Sequence, residues 1–272
     1  MIETSAGPYR GGTGEPLVLL HGIGSSWGSW RPVLPALAAR HEVLALNLPG
    51  FGGAAPLPAC TAPTVSALTD AVERELDDAD FERPFVAGNS LGGRIALELA
   101  RRGRARGVAA LSPAGMWTAR ERGYSRAILK AMYATTRRLR PYAGAVSRTA
   151  AGRTALFSLV CARPWRIDPD EAREAIEALA DADAFPETLD RAIAGRAEGL
   201  SDIRTPMVIA WGTRDLLLLP RQGRRCTRAI PGAELRELPG CGHVPMWDDP
   251  DLVAHTILAL TERERGVPAE AT

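Results

Sequence analysis

The chain has 272 residues, 33 basic and 32 acidic side chains, and 46% hydrophobic residues. That length suits one domain, or one domain with a sizeable insertion, and supplies ample apolar material for a core. A formal net charge of +1 argues against a nucleic-acid partner, and no stretch approaches the roughly 20 uncharged apolar residues that span a membrane. Lys130 is the single lysine, which with so much alanine reads as coding bias rather than phosphate recognition. The start has no basic region followed by an apolar core, so no secretory signal is expected. Cys60, Cys161, Cys226 and Cys241 form no CxxC or Cys/His cluster, so neither a zinc site nor a disulfide framework is indicated. The expectation is a reduced, cytoplasmic enzyme with no metal or cofactor, a small-molecule substrate and an open oligomeric state.

Short apolar runs alternate with helical patterns, the signature of a parallel sheet covered by helices. In chain order, Leu17 to Leu20 reads as a buried strand ending at His21-Gly22, and Glu42 to Leu46 as a second, ending at the turn Pro49 to Gly53. Thr64 to Asp78 is a helix, with Val65, Leu68, Val72 and Leu76 spaced by three and four. Phe85 to Ala87 is a third strand, Ile95 to Arg101 is helical, and Val108 to Leu111 is the next strand. From about Trp117 to Ser201 the rhythm breaks into amphipathic helices. Residues 118–153 hold nine basic side chains and one acidic, whereas residues 163–202 hold five basic and eleven acidic. These opposed charges either pair the two halves or mark solvated faces. Strands resume at Met207 to Trp211 and Ala233 to Leu238, and a helix runs from about Pro250 to Arg263. The account is a core of residues 1–117 and 201–272 with a helical insertion, 118–200, between its pieces. Residues 266–272 are expected to fray.

Gly88-Asn89-Ser90-Leu91-Gly92-Gly93 lies between a strand and a helix. This is the G-x-S-x-G nucleophile elbow in the context it requires. The turn is tight, and Gly88 and Gly92 remove side chains that would collide with neighbouring backbone. A serine hydroxyl needs a base, and there are four histidines. His41 precedes a strand and reads as an exposed loop residue; His255 lies in the closing helix; His21 shapes the loop after its strand. His243, in the glycine-flanked loop Gly240 to Pro245, is the candidate base. Its orienting carboxylate is Asp215, just past a strand; Asp248 and Asp249 compete but read as caps of the closing helix. The backbone N–H groups of Leu91 and Ile23 are the candidate oxyanion donors. Because both are main-chain groups, substitution of Ile23 or Leu91 should hurt less than substitution of Ser90.

On these motifs, with His21-Gly22-Ile23-Gly24, Pro49-Gly50-Phe51-Gly52, Gly212-Thr213-Arg214-Asp215 and Gly242-His243, the chain resembles the α/β-hydrolase superfamily. The order Ser90, Asp215, His243 is that of this fold. The resemblance implies an eight-stranded, mostly parallel sheet with a helical lid. Haloalkane dehalogenases and epoxide hydrolases use aspartate at the elbow, so Ser90 argues against both. The elbow is similar to that of carbon–carbon bond hydrolases, cofactor-free haloperoxidases and small-molecule esterases. Ile23, Val244 and Pro245 depart from the carbon–carbon bond hydrolases, and Asn47 stands where many relatives carry aspartate. The leading expectation is a serine esterase, with carbon–carbon cleavage of a vinylogous diketone as the alternative; a non-catalytic binding protein would call for a broken triad.

Trp27, Trp30, Trp117, Trp165 and Trp247 bunch on loops expected to converge on Ser90, with Met116 and Met246 beside two of them. Trp27, Asn89, Met116, Trp117, Trp165 and Val244 are the candidate pocket residues. No carboxylate-binding arginine stands out, so an uncharged hydrophobic ester or ketone is expected.

Overall fold

Each apolar run finds a strand beside it, because a strand buried on both faces can satisfy its backbone only through neighbours. In the computed structural model, which describes residues 7–264, the chain runs β1 (Tyr9–Gly11), β2 (Glu15–Leu20), α1 (Leu34–Ala38), β3 (His41–Leu46), α2 (Val65–Asp78), β4 (Phe85–Asn89), α3 (Leu91–Arg101) and β5 (Gly107–Leu111). It continues through α4 (Ala119–Leu139), α5 (Ala143–Arg148), α6 (Ala150–Phe157), α7 (Pro169–Ala180) and α8 (Phe185–Arg191). It closes with β6 (Met207–Gly212), α9 (Arg221–Ala229), β7 (Glu234–Leu238), α10 (Pro245–Asp248) and α11 (Pro250–Glu264). No strand lies between β5 and β6 among the described residues. The sequence-based expectations for residues 1–5 and 266–272 lie outside the described residues.

The sheet order is β1-β3-β2-β4-β5-β6-β7. β1 pairs antiparallel with β3, and the other pairings are parallel. The described sheet thus has seven strands, one fewer than the resemblance implies; β1 already holds the edge, and only two described residues precede it. Alternation along β2 divides the core. Leu17 and Leu19 pack with Leu34, Leu37, Val253 and Ile257 on one face, while Val18 and Leu20 pack with Leu68, Val72 and Ile95 on the other. Strand order reverses between β2 and β4, whose neighbouring carboxyl ends form the crevice where open α/β sheets bind ligands.

Some local readings change. His41 is buried in β3, its ring nitrogens bonded to the Glu15 carbonyl at 2.9 Å and the Thr261 hydroxyl at 3.0 Å. An imidazole with an acceptor and a hydroxyl aligned on its two nitrogens satisfies itself inside the fold, so the exposed-loop expectation fails. The opposed charges do pair: Arg140 meets Asp181 at 2.8 Å, Arg137 meets Asp183 at 3.3 Å, and Arg126 meets Asp190. These pairs are exposed and contribute little each. Glu121 joins α4 to the core more firmly. It forms a capping box with Thr118 and accepts from Arg221, at 2.5 Å, and Arg225 of α9. Burial pushes its carboxyl up, but the Thr118 N–H and the two guanidinium groups outweigh it and hold the pKa down to about 2. No helix among the described residues is long and apolar enough to cross a membrane.

Candidate active site

Ser90 sits between β4 and α3 at φ +55° and ψ −112°. A non-glycine residue at positive φ costs of order 1–3 kcal/mol and persists only where its surroundings impose it. Here the Ser90 N–H donates to the Leu111 carbonyl at 2.9 Å, and the Ser90 carbonyl accepts from the N–H groups of Arg94 and Ala114, both at 3.0 Å. The flanking glycines permit the close approach. A Cβ on Gly88 would lie 2.3 Å from the Gly92 oxygen, and one on Gly92 would lie 2.2 Å from the Leu20 oxygen. The serine is therefore presented by strain that the sheet and its neighbours maintain.

His243 follows β7, and its Nδ1–H donates to Asp215 Oδ2 at 2.8 Å. The other Asp215 oxygen, Oδ1, accepts from the N–H groups of Leu217 at 3.0 Å and Leu218 at 2.8 Å. All three side chains are buried, with Ser90 and His243 lining one cavity. With Nδ1 protonated by its bond to the carboxylate, His243 Nε2 is left as an acceptor. Asn89 ties the elbow to the histidine loop: its Nδ2 donates to the His243 carbonyl at 2.9 Å and to the Leu111 carbonyl at 3.2 Å.

Asp248 is not a cap of the closing helix. It lies in α10 and is buried, accepting from Gly242 N–H at 2.7 Å, Ala162 N–H at 3.0 Å and Arg163 N–H at 2.7 Å. It thus fastens the loop carrying His243 to the segment after α6. Asp249 does cap α11, accepting from Leu252 N–H at 3.0 Å. The sequence offers two adjacent aspartates, and only the fold distinguishes them.

Leu91 occupies the first position of α3, where a backbone N–H has no intrahelical acceptor. Ile23 lies in the loop after β2 and lines the same cavity as Ser90. A Cβ on Gly22 would stand 3.3 Å from Ser90 Cβ, which measures how closely that loop approaches the elbow. His21 anchors the loop from within: Nδ1–H donates to the Gly22 carbonyl at 2.7 Å, and Nε2 accepts from Leu48 N–H at 2.9 Å. Full burial pushes its pKa down to about 4, against a smaller upward pull from the Gly22 bond, so the ring is neutral and one tautomer is specified. Asn47 braces the same region, accepting from Trp27 N–H at 2.8 Å and donating to the Gly52 carbonyl at 2.7 Å. A carboxylate could make the first bond but could not donate the second.

The cavity measures about 100 Å³ and draws on the core and on α4, α6, α7 and α8. Asn89 and Val244 line it; Trp27, Met116, Trp117 and Trp165 do not. Trp27 turns to the opposite layer, donating Nε1–H to the Gly7 carbonyl at 3.1 Å. Met116 and Trp117 are buried in the core, with the Met116 carbonyl accepting from Arg225 at 2.8 Å. Trp165 is half exposed. Trp247, one of the bunched tryptophans, does line the cavity, as do Leu129, Met132, Thr136, Phe157, Ile176, Leu179, Phe185 and Leu217. Leu129, Met132 and Thr136 share one face of α4 through spacings of three and four, a signal legible in the sequence but indistinguishable there from core packing. No arginine, lysine, aspartate or glutamate lines the cavity.

Residues 17–256 match the model describing the alpha/beta hydrolase family. The chain is 33% identical over 214 residues to epoxide hydrolase EphH of Mycobacterium tuberculosis, covering 72% of this chain and 94% of that protein. It is 32% identical over 259 residues to the pimeloyl-acyl-carrier-protein methyl ester esterase of Aromatoleum aromaticum, covering 86% and 93%. Some relatives are longer: the chain spans 64% of a dihydrolipoyllysine-residue acetyltransferase component of the acetoin cleaving system of Pseudomonas putida, at 29% identity over 254 residues. Among solved structures, a meta-cleavage product hydrolase of Pseudomonas fluorescens superposes with a TM-score of 0.74 at 19% identity, covering 94% of this chain and 93% of the other.

Proposed function

The chain belongs to the alpha/beta hydrolase family, and from that premise we propose that it is a serine hydrolase that cleaves an ester whose acyl group is small, uncharged and largely apolar. The observation that carries this reading is the 2.8 Å bond from His243 to Asp215, in a histidine that shares its cavity with the strained Ser90. On approach to a carbonyl carbon, Ser90 Oγ forms the new C–O bond and gives its proton to His243 Nε2. Asp215 stabilises the imidazolium, and the N–H groups of Ile23 and Leu91 receive the oxyanion. Collapse expels the alcohol, which takes the proton from His243. Water then repeats the sequence on the acyl-enzyme, releasing the acid and restoring Ser90. The helices of residues 118–200 act as a lid that limits bulk water at the ester while admitting the single deacylating molecule.

Two rival chemistries fit less well. A serine that opened an epoxide would be left as an ether, with no carbonyl for water to attack, so the activity named for the Mycobacterium relative does not transfer to Ser90. Carbon–carbon cleavage of a ring-fission dienoate would use the same residues, but such a substrate carries a carboxylate, and the cavity lining offers it no Arg or Lys. The test is a comparison of short-chain p-nitrophenyl esters with a ring-fission dienoate. Turnover of the esters supports the proposal, and turnover confined to the dienoate would overturn it.

A further inference from the structure

The lid face of the cavity carries one polar side chain where its pattern calls for an apolar one. Leu129, Met132 and Thr136 project from α4 into the cavity beside Ile176, Leu179 and Phe185. Thr136 is 6% exposed, and its hydroxyl has no hydrogen-bond partner among the described residues. Thr188 of α8 likewise has a hydroxyl without a partner, but several other helical hydroxyls bond their own backbone. The helical hydroxyls of Thr69, Ser125, Thr154, Thr227 and Thr256 all donate to the carbonyl four residues earlier, at 2.7 to 3.0 Å. This local bond is the default satisfaction of a hydroxyl within a helix. Thr136 makes no such bond, and its oxygen is not among the fully buried ones, so in a residue that lines the cavity an acyl oxygen that displaces water can accept its proton.

Resting on the serine-hydrolase reading above, we propose that Thr136 determines acyl specificity, hydrogen-bonding an oxygen carried by a short acyl group. The acyl group is uncharged, because no ionisable side chain other than His243 lines the cavity. It is short, because an apolar cavity of about 150 Å³ accommodates benzene and this one measures about 100 Å³, space for on the order of four carbons. Phe185, stacked on Tyr133 with ring centroids 4.7 Å apart, and Leu179 close the wall against Gly24, where a Cβ would lie 2.9 Å and 2.4 Å from them. The substrate class is therefore a hydroxy-, keto- or alkoxyacyl ester of about butyryl size rather than a plain alkanoate.

The experiment compares p-nitrophenyl butyrate with its β- and γ-hydroxybutyrate counterparts in the unaltered protein, Thr136→Val and Thr136→Ser. Intrinsic ester reactivity cancels in the variant-to-parent ratio. Thr136→Val keeps the side-chain shape, and should lower kcat/KM for at least one hydroxyacyl ester about tenfold, mainly through KM, the worth of one hydrogen bond of about 1.4 kcal/mol. The loss on butyrate should be clearly smaller than on that hydroxyacyl ester, and Thr136→Ser should restore most of the hydroxyacyl rate. Equal losses on all esters would mean a structural role and would overturn the proposal, as would unchanged ratios. Calorimetric binding of butyramide and the hydroxybutyramides to the same three proteins requires no turnover. Absence of both ester turnover and fluorophosphonate labelling of Ser90 would defeat the serine-hydrolase reading. In that event, hydroxyl-dependent discrimination between the amides would still support the Thr136 contact, and its absence would overturn it.

Discussion

Replacing Asp215 by asparagine separates orientation of His243 from maintenance of the fold. The carboxylate now serves three donors: the N–H groups of Leu217 and Leu218 on Oδ1 and His243 Nδ1–H on Oδ2. An asparagine has two ways to fit. With its oxygen towards His243, its NH2 group would face two backbone donors, leaving both unpaired at about 1–3 kcal/mol each. With its oxygen towards Leu217 and Leu218, both bonds survive and the NH2 group donates to His243 Nδ1. The second fit wins by several kcal/mol, and it forces the proton onto His243 Nε2. That nitrogen can then no longer accept the proton of Ser90. The expected loss in kcat is about 10⁴-fold, or about 5 kcal/mol of transition-state stabilisation. Because no buried donor is abandoned, stability should change by about 1 kcal/mol or less, a few degrees at most in Tm. Steady-state kinetics on the best ester, read beside a thermal melt, checks both numbers. Activity within tenfold of the unaltered protein would refute the assignment, and Asp248→Asn proving the more damaging to kcat in a folded protein would move the role to that residue.

Other substitutions test the supports. In Asp248→Asn the amide NH2 would face at least one of three backbone donors, so we expect a loss of about 1–3 kcal/mol by denaturant melt together with reduced kcat from a loosened His243 loop; an unchanged melt would contradict the fastening role. Gly92→Ala would set a methyl 2.2 Å from the Leu20 oxygen and 2.6 Å from the His21 oxygen, both backbone, and should abolish activity and lower Tm sharply; a folded, active variant would refute the close approach. His21 accepts a proton at pH 6.5 when unfolded but only at about 4 when folded, so below pH 6.5 the unfolded chain holds more protons. Its contribution is intact above pH 6.5, and stability falls by roughly 3 kcal/mol as pH drops towards 4; the slope measured between pH 7 and 5 should flatten in His21→Asn. Glu121→Gln removes the charge that Arg221 and Arg225 meet and should cost roughly 1–2 kcal/mol at pH 7, less than a sealed pair because both arginines retain exposure. The difference should shrink as pH falls below 4.5 and the unaltered carboxyl approaches its folded pKa of about 2.

The elbow was legible in the sequence because its strain has a local chemical signature: two glycines whose Cβ positions are occupied by backbone, on either side of one serine. The parallel strands were legible because burial on both faces selects continuous apolar runs. The three-residue β1 was not, being too short and too exposed to show a pattern, nor was α9, whose four arginines leave little apolar face. Pocket membership was the least legible feature. Tryptophan density along the loops named Trp27, Met116, Trp117 and Trp165, yet side-chain direction sends the first to the opposite layer, the next two into the core and the last towards solvent. The residues that do line the cavity from α4, α6 and α7 carry the same amphipathic spacing that packs any helix on a core. Asp248 escaped for a related reason: its partners are backbone amides, one from Gly242 in the adjoining loop and two from the distant Ala162 and Arg163, and backbone amides leave no mark in a sequence.

The central claim is that Ser90 is the nucleophile, and the most direct measurement is mass spectrometry of the protein after reaction with a fluorophosphonate. The account predicts one adduct per chain, located on the peptide containing Ser90, absent in Ser90→Ala and strongly slowed in His243→Ala. An adduct that persists in Ser90→Ala, or that maps to any other residue, would contradict it.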